Sequence, residues 1–430
     1  MNKTISSFLA RHNFVNHIDV MNVAQGLLDD MQKGLKGEIA DEDMIRTFCN
    51  PPSESACGKS VIVIDAGGTN FRSCLVTFDD KGVPEISFME KTKMPGVEKE
   101  LSKKDFFEQI ASNLDRLKNK ADRIGFCFSY PMEIQENGDG ILLGFSKEVK
   151  APEVVGCKVG ECLKEALVAR GWDSIKRITL CNDTVAALLA GAAVAENGTN
   201  YSSYIGMILG TGLNAAYIQP DCDVCKIKKQ IIVCESGKFK SVNRSEFDVE
   251  LDAHTVKPGS FYLEKLCSGA YMGSVAQYAL IAAAKENVFS KTLCQNLANL
   301  TDFTTIEMSS FLQYPYSSSN MIGNLLIESK ATDEDYDKMF QLLDAIAERS
   351  ARYAAAILVA CVLQTGEGKN AAKPVCILCN GSTYFKTYMI NNRVHGYLDE
   401  ILTNQHGIYW KIVSCDNDIT LGAAISGLID

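Results

Sequence analysis

The sequence predicts an α/β protein of two lobes. Strand-like apolar runs fall into two clusters, residues 61–128 with 178–181 and residues 204–233, and helical spacing follows each. Each cluster opens on a strand that runs straight into a glycine–threonine turn, Asp65-Ala-Gly67-Gly68-Thr69 in the first and Gly210-Thr211-Gly212 in the second. Ala345 to Leu363 is apolar nearly all round, the mark of a helix buried on every side. With 430 residues the chain is long enough for two cores.

Each element has its own local signal. Phe14, Ile18, Met21, Ala24, Leu28, Met31 and Leu35 fall at helical spacing and predict a helix over residues 14–35. Asn50-Pro-Pro-Ser-Glu-Ser55 is a breaker cluster that separates that helix from the first strands. Residues 61–64, 72–78 and 85–89 read as strands, 103–117 as a helix, and 124–128 and 178–181 as buried strands. The last of these leads directly into an alanine- and leucine-rich helix, Thr184 to Val194. A second β cluster spans Tyr204 to Val233, and helices dominate from Pro258-Gly259 to Gln364. A strand over 375–378 and a small-residue helix, Leu421 to Leu428, close the order.

Composition narrows the function classes. Apolar residues make up 46% and charged residues 22%, as in an ordinary globular protein. The net charge of −10, without any basic run, argues against a nucleic-acid or anionic-membrane surface. The first ten residues hold too short an apolar stretch for a signal peptide, and no run reaches the ~18 residues of a membrane span. The expectation is a cytoplasmic protein. In that setting the 16 cysteines read as reduced thiols, many of them small buried hydrophobes. Two Cys-x-x-Cys pairs occur, Cys222/Cys225 and Cys376/Cys379. A zinc site would need them to meet, but Val375 to Cys379 reads as a strand, where i,i+3 side chains face opposite ways.

Six constellations carry chemistry. The turn after Val61–Ile64 exposes backbone N–H groups that can wrap a phosphate, and Asp65 beside it can hold magnesium through water. The competing reading is a plain glycine hairpin. Asn182-Asp183, at a strand-to-helix junction, offers more than the single residue a helix N-cap requires. A carboxylate there can take the proton of an attacking hydroxyl. Gly210-Thr211-Gly212-Leu-Asn214 is a second strand-to-turn segment with a hydroxyl placed to touch phosphate. Ser129 and Phe145-Ser146-Lys147, read alone, are a strand end and a loop. Glu235 and Glu264 form an acidic pair, the second opening a helix. Asn380-Gly381-Ser382 is a turn where a base or ribose can lie. No Walker-type loop, Rossmann glycine triplet or Gly-x-Ser-x-Gly elbow occurs, and the five histidines lack metal-ligand spacing.

Taken in order, these segments resemble the hexokinase family in its eukaryotic-type (hexokinase/glucokinase) branch, over nearly the whole chain. The resemblance implies a two-lobed actin-like ATPase (ribonuclease H-like) fold with a cleft between a small and a large domain. The small domain would be residues 60–181 plus 416–430, and the large domain residues 1–59 plus 182–415. It implies ATP-dependent phosphorylation of a hexose, D-glucose first, at its 6-hydroxyl, with Asp183 as general base and Lys147 beside it. Ser129, Ser146, Lys147, Asn182, Asn214, Glu235 and Glu264 would bind the sugar. Asp65, Gly67, Gly68, Thr69, Asn70, Arg72, Gly210, Thr211, Gly212, Gly381 and Ser382 would bind ATP, with Mg2+ near Asp65 and Asp183. The implied partners are small molecules, with neither nucleic acid nor membrane, and the state a monomer or homodimer. Three segments depart from the family pattern: Glu235-Ser-Gly237 in place of Glu-Trp-Gly, Ser146 in place of threonine, and Asp416-Asn-Asp-Ile-Thr-Leu-Gly422 in place of Asp-Gly-Ser-Gly. A kinase preferring mannose, fructose or an amino sugar, or a non-catalytic hexose sensor, stays open at this point.

Overall fold

A computed structural model describes residues 1–51, 56–145, 149–193 and 199–429, so the breaker cluster lies partly outside the described residues. The chain opens with helices α1 (Lys3–Arg11) and α2 (Val20–Leu35) and a two-residue strand, β1 (Ile45–Arg46). The predicted helix over 14–35 is therefore shorter. Asn13 takes a left-handed φ of 57° after α1, and Asp19 caps α2 by accepting from the Asn22 N–H. Phe14 and Ile18 are buried as their spacing predicts, but from the connecting loop.

Next come β2 (Ser60–Gly67), β3 (Asn70–Phe78) and β4 (Pro84–Lys93), an antiparallel meander. Helix α3 (Lys103–Ser112) stops before a single 3-10 turn over Asp115–Leu117, short of the predicted 103–117. Strand β5 (Arg123–Phe128) pairs parallel with β2. A small hairpin, β6 (Met132–Ile134) and β7 (Gly140–Leu142), leads to α4 (Val159–Ala169) and β8 (Arg177–Cys181), which pairs parallel with β5. The first sheet thus runs β4-β3-β2-β5-β8.

After α5 (Asp183–Ala193) the same pattern returns. Strands β9 (Ser203–Leu209), β10 (Leu213–Gln219) and β11 (Gln230–Val233) form a second antiparallel meander. Helices α6 (Glu246–Ala253), α7 (Tyr262–Cys267), α8 (Met272–Lys285), α9 (Lys291–Leu297), α10 (Thr305–Gln313), α11 (Met321–Glu328) and α12 (Asp333–Thr365) fill the predicted helical stretch. Strand β12 (Val375–Asn380) pairs parallel with β9, and β13 (Trp410–Val413) with β12. Between them lie α13 (Ser382–Lys386) and α14 (Ile390–Leu398), and α15 (Asp418–Leu428) closes the fold. The second sheet runs β1-β11-β10-β9-β12-β13.

Set β1 aside and both sheets have one strand order, third-second-first-fourth-fifth, with the first three strands antiparallel and the last two parallel. The glycine–threonine echo in the sequence is the trace of that repeat. Each fifth strand feeds a helix that crosses over: α5 packs on β9 and β12, α15 packs on β2 and β5, and the two helices pack on each other. Their apolar faces, with Val61, Val63, Ala216 and Val233, make a core shared by both sheets. A larger core lies between the second sheet and the helices α1, α2 and α6 to α12, and a third lies under α3 and α4. Among the described residues no helix is long and apolar enough to cross a membrane.

Candidate active site

The first glycine turn is a hairpin, the plainer of the two readings, and a hairpin does not preclude a phosphate on its backbone amides. Gly67 pairs with Asn70 across the β2–β3 ladder, and Gly68, at φ 77°, starts the two-residue turn that ordinary side chains resist. The Tyr130 hydroxyl donates to the Gly68 carbonyl at 2.9 Å, and the Met94 N–H donates to the Thr69 carbonyl at 2.9 Å. In a planar trans peptide the N–H points opposite to the preceding carbonyl. Anchoring the Gly68 carbonyl to protein therefore turns the Thr69 amide the other way. The Asp65 carboxylate receives Arg72 Nη1 at 2.8 Å.

The second turn obeys the same rule. The Gly210 carbonyl accepts from the Gly269 N–H and the Thr383 hydroxyl, each at 2.8 Å, and the Thr211 carbonyl accepts from the Ala270 N–H at 3.2 Å. The amides of Thr211 and Gly212 are thus directed away from these partners. Gly381 reaches this turn at φ 116°, and a Cβ there would lie 2.2 Å from the Leu209 carbonyl oxygen, so only glycine fits. A recess of about 510 Å³ opens beside it, lined by Thr211, Ser382, Thr383, Thr305, Ser309 and Lys386 among others. The sequence pointed to Ser382 there, whereas the hydroxyls from α10 arrive only through tertiary packing.

A separate cleft of about 350 Å³ brings together Ser129, Asn182 and Asp183 from the first sheet's strand ends with Asn214 and Glu235 from the second. Asn182 is the helix cap: its Oδ1 accepts the Val185 N–H at 2.8 Å. Asp183, first residue of α5, is thereby spared that duty, and its Oδ1 accepts from the Thr184 hydroxyl at 3.2 Å. The Asn214 carboxamide is held in one orientation, because its Oδ1 accepts from the N–H groups of Ala215 at 2.8 Å and Glu235 at 3.0 Å. Its Nδ2 then donates to Glu235 Oε1 at 2.7 Å. Glu235 sits in a left-handed conformation, φ 59°, just past β11. Burial raises its pKa, with Lys238 opposing the shift.

Glu264 stands one layer back and does not line the cleft. Its Oε2 accepts the Leu213 N–H at 2.9 Å, and burial raises its pKa. Ser146 and Lys147 lie outside the described residues. Further residues join these that no local sequence pattern marked. Asp43 and Lys238 form an ion pair and both line the cleft, and Phe261 does so from a left-handed turn before α7. Asp418 opens α15 and accepts from Asn380 Nδ2; burial raises its pKa, and the Asp65 charge adds to the rise. A wider recess, about 880 Å³ between α3 and α4, contains none of these residues. Among the described residues no three His, Cys, Asp or Glu side chains converge as a metal site.

Comparison with known proteins agrees with this architecture. Two family models, both described as hexokinase, match residues 7–193 and residues 204–429. Hexokinase-1 of Schizosaccharomyces pombe is 25% identical over all of this chain and 92% of its own length. Hexokinase-like 1 protein of Arabidopsis thaliana is 28% identical, covering 94% of this chain and 86% of its own. Hexokinase-2 of Homo sapiens is 27% identical over 87% of this chain, which spans only 43% of that longer protein. Among solved structures, a crystal structure of hexokinase superposes with a TM-score of 0.83 at 21% identity, covering 99% of both chains. A hexokinase from Schistosoma mansoni complexed with glucose gives 0.77, also at 21% identity and 99% of both chains.

Proposed function

The chain belongs to the hexokinase family, and from that premise we propose that it transfers the γ-phosphoryl group of ATP to the 6-hydroxyl of D-glucose. The observation that carries this reading is the cleft, where Asp183 from one sheet faces Asn214 and Glu235 from the other, with a glycine turn on each sheet nearby.

In this reading Asp183 accepts the proton of the attacking hydroxyl. It sits in the first turn of α5, a place that favours a carboxylate ion, and Asn182 already supplies the cap. Ser129, Asn182, Asn214 and Glu235 take the other hydroxyls, as amides and carboxylates can each serve adjacent ones. Glu264 acts from behind, holding Leu213 and with it the strand start that carries Asn214. An epimer that misplaces one hydroxyl leaves a buried polar group unpaired, and the sugar is rejected. Ser146 and Lys147 enter from their motif alone.

ATP lies across both turns, its phosphates on the amides near Thr69 and Thr211 and its adenosine in the hydroxyl-lined recess by Ser382. Carboxylate oxygens of Asp65 and Asp183 suit a hard cation, and Mg2+ commonly takes one or two carboxylates with phosphates and water. Bound there, the ion would neutralise charge on the phosphates. The division into a small domain of residues 60–181 plus 416–430 and a large domain of 1–59 plus 182–415 tracks the two sheets and their crossing helices. A cytoplasmic location, and a monomer or homodimer, complete the reading.

One coupled assay tests it, with glucose, mannose, fructose and glucosamine as acceptors and ATP or GTP as donor. Glucose with ATP is expected to give the highest kcat/KM. A higher value for another hexose would reassign the substrate, and hexose binding without turnover would make the protein a sensor. Asp183→Ala is expected to lower kcat at least about a hundredfold while calorimetry still detects the sugar; near-normal turnover removes Asp183 from the mechanism.

A further inference from the structure

The loop joining β10 to β11, at the far end of the hairpin from Asn214 and Glu235, holds the Cys222-Asp-Val-Cys225 segment. It is a tight, closed turn. Cys222 and Ile227 exchange backbone hydrogen bonds at 2.9 and 3.0 Å, and the Lys226 N–H donates to the Asp223 carbonyl at 3.2 Å. Ile227 is buried and pins the loop to the core, while Val224 at the tip is 80% exposed. Within this frame Cys222 Sγ accepts the Cys225 backbone N–H at 3.2 Å, which brings the first sulfur against the second cysteine. Both thiols are half-buried, unlike most of the chain's cysteines.

Hydrogen bonds around the pair favour a thiolate at one position. The Cys225 side chain and the backbone N–H groups of Cys225 and Val224 all donate to Cys222 and draw its pKa down, with Asp223 opposing. Cys225 itself is pushed up by burial and by its neighbour, although Lys36 and Arg46 oppose the rise. The Arg46 guanidinium also donates to the Cys225 carbonyl at 3.3 Å. Burial pushes the thiols of Cys49, Cys74 and Cys379 up, and buried thiols of this kind are inert small hydrophobes. An accessible thiol stabilised as thiolate, with a second thiol in contact, is the arrangement of a reactive dithiol.

We propose that Cys222 and Cys225 form a reversible dithiol–disulfide couple, a redox modification site on the hairpin that carries two of the cleft residues. The oxidant is a small-molecule disulfide such as oxidised glutathione. The Cys222 thiolate attacks one of its sulfurs, the S–S bond breaks, and one thiolate leaves with the electron pair. Cys225 then loses its proton to water and attacks Cys222 Sγ, and the second small thiolate leaves. Two protein thiols are oxidised to one disulfide while the small disulfide is reduced to two thiols.

The test uses the full chain equilibrated in glutathione buffers from reducing to oxidising, quenched by alkylation and mapped by mass spectrometry. The peptide spanning both residues is expected to lose two hydrogens and escape alkylation, and to recover on reduction. Cys225→Ser is expected to trap a glutathione adduct on Cys222, whereas Cys222→Ser slows reaction at Cys225 by about tenfold or more. The substitutions sit in an exposed turn, and unchanged melting temperatures check that the fold survives. The proposal fails if both thiols stay free while half-buried Cys57, Cys157 or Cys415 is modified. It also fails if Cys225 reacts as fast without Cys222.

Discussion

The Glu42 carboxyl is 2% exposed, and neither of its oxygens has a hydrogen bond of good geometry. Burial raises its pKa well above the ordinary value, Asp30 and Asp41 add to the rise, and the nearby Ser236 hydroxyl opposes it only in part. The folded state therefore holds this proton at a pH where the unfolded chain has lost it. Stability from that group is present at low pH and falls as pH rises from the unfolded value upward. Glu42→Gln keeps the shape without the proton. It is expected to match the parent near pH 5 and to melt about 1–3 °C higher at pH 8. A difference in melting temperature that is the same at both values would show that Glu42 does not titrate in this way. The family pattern marked position 236 as a departure, but the acid beneath it was not legible, because residues 42 and 236 meet only in the fold. Asp183 was legible for the opposite reason. Its neighbour Asn182 satisfies the cap locally, so the acid beside it stood out within a few residues of sequence.

At the scale of elements, the sequence signals were strong wherever a motif is built by one strand and its turn. Both glycine hairpins, the Asp183 junction and the buried helix within α12 are encoded in local spacing. Helix α1 carries only a short signal in the apolar spacing, and the helix over 14–35 is overextended, because that spacing continues through the loop before Asp19, which caps α2. The recess near Ser382 was half legible, since its α10 hydroxyls belong to a helix far along the chain. The Gly210–Gly212 turn gives the sharpest element-level expectation. A Cβ on Gly212 would stand 2.7 Å from Glu264 Oε2, the movable end of a side chain. Gly212→Ala should therefore swing Glu264 off the Leu213 N–H rather than disturb the hairpin. A lost hydrogen bond to a charged group is worth about 1.5–3 kcal/mol. The expected result is a hexose KM raised roughly tenfold or more, with a melting temperature lowered by roughly a few degrees. An unaltered hexose KM in a well-folded variant would detach Glu264 from the sugar site.

At the scale of the molecule, the repeated sheet explains why the site lies where it does. Each half supplies one glycine turn, and each sends its last helix across to the other half, so α5 and α15 cross at the centre. The crossing is close: a Cβ on Gly422 would lie 1.7 Å from the Ala186 carbonyl oxygen. That contact joins the two sheets along one line, with the cleft at one end, and we propose that they rotate about it. Ser129, Asn182 and Asp183 move with the ends of β5 and β8, while Asn214 and Glu235 move with β10 and β11. A hexose that touches both groups binds the closed arrangement better than the open one, and so must shift the population toward closure. Closure also keeps water from competing with the sugar hydroxyl for the phosphoryl group. Small-angle scattering is expected to give a smaller radius of gyration with saturating glucose than without it. Asp183→Ala should compact in the same way, because the sugar contacts and not the base drive the motion. An unchanged radius at saturation in both proteins would mean that the cleft is already closed, and that water must be excluded by some means other than lobe motion.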